Sequence, residues 1–291
     1  MTLLVEAVGP LATIQDLGRP GHADVGVTEA GALDRGALRR ANELVGNPAH
    51  TPGVEALLGG LVVRAETPCL VAVTGTDALV QRDGTPVDSS YALPLQVGQC
   101  IALGMPSRGL WSYLAVRGGL LADRVYGSAS TDRTGGVGPP PLTAGQRLRI
   151  AAARPDPTAA RAAPLPEDPS ARGLVVLHAV VGPREDWFDT GALAVLRSWP
   201  WTVTHDTDRV GTRLHGPPLA HTRAQELPSE AVLRGSVQVP PSGRPLVFLA
   251  DHPTTGGYPV IAVVDDADTD RLAQRRPGER VRFALRRASW R

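Results

Sequence analysis

The chain has 291 residues, 42% of them hydrophobic, 20% charged and 4% aromatic, with a formal net charge of +1. Such a composition excludes a disordered or fibrous chain and predicts about two globular domains, while near-neutrality offers no general attraction for nucleic acid or a membrane surface. All 30 residues of the Lys+Arg total are arginine, so this chain has no Schiff-base lysine, pyridoxal phosphate anchor, complete GxxxxGK[ST] loop or biotinylation site.

The opening MTLLVEAVGP lacks a basic n-region and a sufficient h-region, and no stretch approaches the ~20 apolar residues of a membrane span. A cytoplasmic protein with no membrane partner is expected. Next comes QDLGRPG, in which Asp16 precedes Arg19 by three residues between glycines. This spacing predicts a turn pinned by a carboxylate–guanidinium pair, or an Arg19 that faces an anionic ligand. Asp34 then caps a helix through DRGALRRANELVG, with Leu38, Ala41, Leu44 and Val45 on one face and Gly46 as its stop.

Strands are expected at LVVRA, CLVAVTG and SYLAVRGG, and the loop SASTDRTGGVG is flexible enough to fold over a small ligand. Cys69 and Cys100 lie in apolar runs without ligand spacing, which predicts buried inert thiols. Residues 151–172, AAARPDPTAARAAPLPEDPSAR, lose all strand period and are expected to form an extended linker between an N-terminal β domain (1–150) and a C-terminal domain (173–291).

In the second half, GLVVLHAVVG, PLVFLAD and PVIAVV predict strands, and the stretches Asp186 to Arg197 and Asp266 to Arg275 predict short helices. Three glycine turns, Val97-Gly98-Gln99, Ala144-Gly145-Gln146 and Pro277-Gly278-Glu279, each lead into an alternating run, a sign of barrel or sandwich structure. DTDRVGTRL sets two carboxylates beside Arg209 and Arg213 and predicts a solvated ion-pair face. The tail from Arg271 to Arg291 holds eight arginines and one acid, which fits a closing strand with a solvated face or a surface for an acidic partner.

Among the seven histidines no ligand spacing occurs, and GxSxG and GxGxxG are absent, so no metal site, serine hydrolase or dinucleotide fold is expected. The most suggestive segment is GSVQVPPSGRPLVFLADHPTTGGYPVIAVV. Between two apolar strands, Thr254, Thr255, Gly256, Gly257 and Tyr258 offer hydroxyl and backbone donors where a ligand can approach closely. Gln238 adds an amide suited to a planar amide or ureido group. A purely structural turn is the alternative.

The stretches QDLGRPG, GALDRGALRRANELVGNP, SYLAVRGG, ELPSEAV, GSVQVPP and ADHPTTGGYPVIA together resemble the allophanate hydrolase subunit 2 family, also called biotin-dependent carboxyltransferase or 5-oxoprolinase C-subunit, which includes the antagonist of the Kip kinase inhibitor. The resemblance runs through nearly the whole chain. It implies a mainly β, two-domain architecture with a cyclophilin-like β-barrel and a few short helices, and a subunit 1 (B-subunit, Kip-inhibitor-like) partner, with a LamB/YcsF-like subunit or a biotin carboxylase as a further one. The implied role is a subunit, inactive alone, of a heteromeric enzyme acting on a small amide: 5-oxoproline opened to glutamate with ATP, or urea carboxylated from carboxybiotin. ATP or carboxybiotin would come from partner chains, and nothing is bound covalently here. On this reading Gln238, Thr254, Thr255, Gly256, Gly257, Tyr258, Arg19 and Arg209 bind substrate and Asp251 is the proton acceptor. The alternative is a regulatory module that sequesters its subunit 1 partner.

Overall fold

The computed structural model describes residues 1–152, 173–223 and 225–288. Residues 153–172 of the expected linker lie outside them. The chain divides into two compact units, Met1–Pro20 with Ala30–Glu167, and Gly21–Glu29 with Asp168–Arg291. The segment Gly21–Glu29, which falls within the N-terminal domain by sequence, thus belongs with the second unit.

The first unit is built from β1 (Thr2–Val8), β2 (Leu11–Gln15), β3 (Gly53–Leu57), β4 (Leu61–Ala65), β5 (Cys69–Thr74), β6 (Val80–Arg82), β7 (Thr85–Pro86), β8 (Leu93–Leu95), β9 (Cys100–Leu103), β10 (Trp111–Val116), β11 (Leu120–Leu121) and β12 (Arg147–Ile150). They form a seven-stranded sheet, β11-β12-β1-β4-β9-β6-β7, and a five-stranded sheet, β2-β3-β10-β5-β8. Alternation explains the burial: Leu61, Val63 and Ala65 of β4 are buried and the residues between them only partly so. They meet Val54, Ala56, Leu114 and Val116 of the other sheet in one core. Strand β10 is buried at all six positions, because helix α1 (Arg35–Val45) packs on its other face and on β5.

Helix α1 starts and stops as the sequence predicts. The Asp34 carboxylate accepts a hydrogen bond from the Ala37 N–H at 2.7 Å, and Gly46, at φ 73°, returns its N–H to the carbonyls of Asn42 and Glu43. On the helix side of the five-stranded sheet the register aligns Thr13, Glu55, Tyr113 and Thr74 in a buried polar row. Glu55 accepts from the Tyr113 hydroxyl and the Leu33 N–H, both at 2.8 Å, and the Thr74 hydroxyl donates to the Ala37 carbonyl at 2.7 Å. Burial, and then the nearby Glu55 and Asp34 charges, push the Tyr113 phenol well above its usual range.

The second unit contains β13 (Val175–Val181), β14 (Trp201–Thr207), β15 (Gly211–His215), β16 (Glu230–Ala231), β17 (Ser236–Gln238), β18 (Leu246–Phe248), β19 (Thr255–Gly256), β20 (Val260–Val264) and β21 (Arg280–Arg286). Seven of them close a barrel, β13-β20-β17-β18-β15-β14-β21, and β16 and β19 form a separate ribbon. Strand β21 closes the barrel by pairing parallel to β13 and antiparallel to β14. It buries Val281 and Phe283 and turns Arg280 and Arg282 outward. Arg286 and Arg287 pair with Asp265 and Glu185, so part of the arginine-rich tail is neutralised within the chain. Gly98, Gly145 and Gly278 all take the left-handed conformation, at φ 86°, 87° and 90°, as the three recurring turns require.

Two expectations are corrected. The helix expected from Asp186 to Arg197 is broken into a 3-10 turn at Glu185–Trp187 and α2 (Ala192–Ser198). Phe188 is extended between them and bridged to His221, and the Asp189 carboxylate accepts from the Gly191 N–H at 2.9 Å, a local competitor of helical bonding. The second helix forms as α3 (Asp266–Ala273). The cysteines are half-buried rather than enclosed. Cys100 donates to the Glu6 carboxylate at 3.4 Å, and burial pushes the Cys69 thiol up to about 11.

Candidate functional site

The segment between β18 and β20 leaves the barrel wall and returns through the ribbon. Register sets Thr255 against Ala231 and Gly256 against Glu230, and the Val232 N–H donates to the Thr254 carbonyl at 3.2 Å. The far side of the ribbon is tied back to the barrel by Arg184, whose Nε donates to the Glu230 carboxylate at 3.0 Å and whose Nη2 contacts its other oxygen. That guanidinium holds the Glu230 carboxyl below its ordinary range. Arg184 is positioned by Gly182, whose N–H donates to the Ile261 carbonyl at 2.8 Å. A Cβ on Gly182 would lie 2.4 Å from the Val260 carbonyl oxygen, so this approach requires glycine.

At the start of the loop, Arg209 donates from Nε and Nη2 to the two Asp251 carboxylate oxygens, both at 2.8 Å. The pair is closed to water, with Arg209 4% and Asp251 1% exposed. Asp208 forms the turn that aims it, accepting from the Val210 and Gly211 N–H groups at 2.8 and 3.1 Å. The solvated face expected here is therefore present only in part. Arg213 lies 3.8 Å from the exposed Asp206, whereas Arg209 turns inward because a buried carboxylate 42 positions along the chain satisfies its planar fork.

At the end of the loop, Gln238 is 4% exposed and its Nε2 donates to the Tyr258 carbonyl at 3.0 Å. A Cβ on Gly256 would lie 2.4 Å from that Nε2, so Gly256 allows the amide to pass beneath the ribbon. Thr255, Gly257 and Tyr258 are exposed, Tyr258 at 47%, and Thr254 and Gly256 are half-buried. Gln238 thus supports the loop from below, and the loop's hydroxyl, backbone and phenol groups face outward.

The structure gathers Arg209, Gln238, Asp251 and Thr254 to Tyr258 around one loop. Arg19 belongs to the first unit, and it is 1% exposed. Its Nε donates to the Val125 carbonyl at 3.3 Å, and its Nη2 contacts the Ser130 carbonyl. The ligand-facing Arg19 is therefore corrected to an internal brace. The turn itself is pinned by the loop at 128–130, with the Asp16 carboxylate accepting from the Ser128 and Ser130 hydroxyls at 2.5 and 2.7 Å and the Ala129 N–H at 2.8 Å. Two segments read separately in the sequence form one turn assembly.

Sequence reasoning missed His252, Glu230 and Arg184. His252 is buried with its Nδ1 2.7 Å from the Pro253 carbonyl and its ring 6.0 Å from Phe248. Its position beside Asp251 was the available signal. Glu230 and Arg184 carry no local signal, since only the ribbon pairing joins them to the loop. Among the described residues no group of three or more His, Cys, Asp or Glu could hold a metal ion, and no helix is long and apolar enough to cross a membrane.

The paired sheets and the closed barrel define a mainly β protein. The family described as carboxyltransferase domain, subdomain A and B, matches residues 25–285, and the chain belongs to it. It is 38% identical to the 5-oxoprolinase C-subunit of Escherichia coli K12, over 97% of this chain and 90% of that protein. The urea amidolyase of Lachancea kluyveri is 28% identical over 96% of this chain but only 16% of its own length. Among solved structures, TTHA0988 superposes with a TM-score of 0.87 at 36% identity, covering 97% of this chain and 55% of that one. The Kluyveromyces lactis urea amidolyase shares the fold, with a TM-score of 0.91 at 24% identity over 98% of this chain and 18% of that one.

Proposed function

We propose that this chain is the C-subunit of a 5-oxoprolinase and acts in complex with other subunits. The observation that carries the reading is the match along 90% of the E. coli C-subunit, against 16% of a urea amidolyase. In the reaction the lactam C–N bond of 5-oxoproline breaks, water supplies the new carboxylate oxygen and the amine proton, and ATP hydrolysis drives the opening. ATP would reach the complex through other subunits, as would carboxybiotin in a urea-carboxylating assembly, since a chain without lysine cannot carry biotin. The partners in this reading are a B-subunit of the Kip-inhibitor-like type and a LamB/YcsF-like subunit, in the cytoplasm, with the two compact units as the two domains.

The supported loop suits a planar amide. The Thr255 hydroxyl, the Gly257 backbone and Tyr258 contact it, and Gln238 acts as a positioning residue through the Tyr258 carbonyl. Asp251 is reassigned from proton acceptor to positioning residue. Both its oxygens are engaged by Arg209 at 2.8 Å and the residue is 1% exposed, so the carboxylate is occupied and closed to a substrate. Co-expression with candidate subunits, followed by assays of ATP-dependent glutamate formation and biotin-dependent urea carboxylation, tests the reading. Glutamate formation that requires this chain supports it; urea carboxylation alone overturns the substrate. Thr255→Ala separates catalysis from sequestration, because an enzyme subunit loses turnover while it keeps its partners.

A further inference from the structure

The first unit carries a cleft that the proposed function does not use. It has a volume of about 430 Å³ and is walled by the turn after α1, the turn after β10 and the segment that follows β11. This size accommodates a small organic molecule. The cleft lies where two stretches singled out in the sequence, LVGNP and SYLAVRGG, come together.

Its walls are fixed by a carboxamide network. The Asn42 side chain donates to the Thr51 carbonyl at 2.8 Å. Asn47 donates to the Asn42 carboxamide oxygen at 3.0 Å and to the Val116 carbonyl at 2.8 Å, and it accepts from the Gly118 N–H at 2.8 Å. These bonds lock the two turns together before any ligand arrives, which lowers the ordering cost of binding.

The lining charge is one-sided. Arg117, Arg124 and His50 line the cleft, and among the described lining residues there is no Asp or Glu, although the whole chain balances 30 basic against 29 acidic residues. Each guanidinium is held in place. Arg117 donates from Nε to the Val45 carbonyl at 3.0 Å, at the carbonyl end of α1. Arg124 donates to the Gly127 carbonyl at 2.7 Å and lies 3.6 Å from Asp16. Leu120 and the half-exposed Leu121 give the cleft an apolar side.

The geometry points to a binding site for a small organic anion, its oxyanion held by Arg117 and Arg124 and its carbon skeleton against Leu120 and Leu121. Guanidinium groups suit carboxylate and phosphate alike, so the shared chemistry is an oxyanion on a compact molecule. This site lies within the first unit and does not depend on the loop of the second.

Isothermal titration calorimetry on the full chain tests it, with inorganic phosphate, 5-oxoproline, glutamate and the neutral control urea, at low and moderate salt. Arg124→Glu and His50→Glu change exposed positions, and far-UV circular dichroism checks that both variants fold. The expected result is saturable binding of at least one anion, weakened about tenfold or more in Arg124→Glu and weakened by added salt. Preference for phosphate or for the carboxylates identifies the source of the oxyanion. No saturable binding of any anion, binding equal in folded variants and wild type, or urea bound as well as the anions overturns the inference. Glutamate formation by the assembled complex is a separate readout, so failure of this site and failure of the 5-oxoprolinase reading are distinguishable.

Discussion

Replacing Asp251 with Asn separates a structural carboxylate from a catalytic one. The substitution keeps the side chain's shape but removes the charge that takes two Arg209 hydrogen bonds at 2.8 Å in a site where Asp251 is 1% exposed. Breaking one side of a buried ion pair costs about 3–5 kcal/mol, because the remaining charge has lost its strongest partner without regaining water. For a unit of this size that loss lowers the unfolding midpoint by about 10 °C or more. Replacing both partners, as Arg209→Met with Asp251→Leu, removes the stranded charge and costs about 2 kcal/mol or less. With the single variants Arg209→Met and Asp251→Leu each costing about 3–5 kcal/mol, the coupling between the two sites is then about 4 kcal/mol or more. Differential scanning calorimetry of the wild type, the single variants and the double variant measures it. An Asp251→Asn chain that unfolds within about 1 kcal/mol of wild type, yet gives a complex without turnover, would refute the positioning role and restore Asp251 as a proton acceptor.

Other substitutions and conditions test the rest of the structure. Gly182→Ala places a Cβ 2.4 Å from the Val260 carbonyl oxygen, and chemical denaturation is expected to show a loss of about 2 kcal/mol or more, since the obstacle is backbone. Gly256→Ala meets the Gln238 amide at 2.4 Å; the side chain can yield, so stability falls by about 1 kcal/mol or less while turnover of the assembled complex drops through the displaced Tyr258. Burial pushes the Asp77 carboxyl up, but bonds from Ser107 and Arg108 outweigh it and hold the group at about 2. Its stabilising contribution is therefore present above about pH 4 and lost as pH falls towards 2, so the stability gap between wild type and Asp77→Asn, followed by urea titration, closes over that window. Cys69, raised to about 11 by burial, should resist iodoacetamide at about pH 8 and react faster as the pH approaches 11, as mass spectrometry of the alkylated chain can show.

Much of this protein was legible in local sequence. Asp34 and Gly46 bound the first helix because capping needs only residues three or four apart. Gly98, Gly145 and Gly278 mark their turns because the left-handed conformation excludes most side chains. The alternation in RVRF set which face of β21 enters the barrel core. The threonines and glycines of the loop after β18 likewise announced an exposed, closely approachable backbone.

Tertiary structure decided what those groups do. Gln238 offers an amide suited to a planar ligand, yet folding places that amide under Tyr258 and out of solvent. Arg19 was expected to meet a ligand or Asp16; instead its guanidinium reaches carbonyls more than a hundred positions away. Arg209 and Asp251, 42 positions apart, become one ion pair, and Glu230 meets Arg184 only because β16 pairs with β19. The composition of a segment determines which hydrogen bonds and charges it can offer. Which of them face water and which satisfy one another depends on strand order and register, and these are set by burying apolar surface across the whole chain.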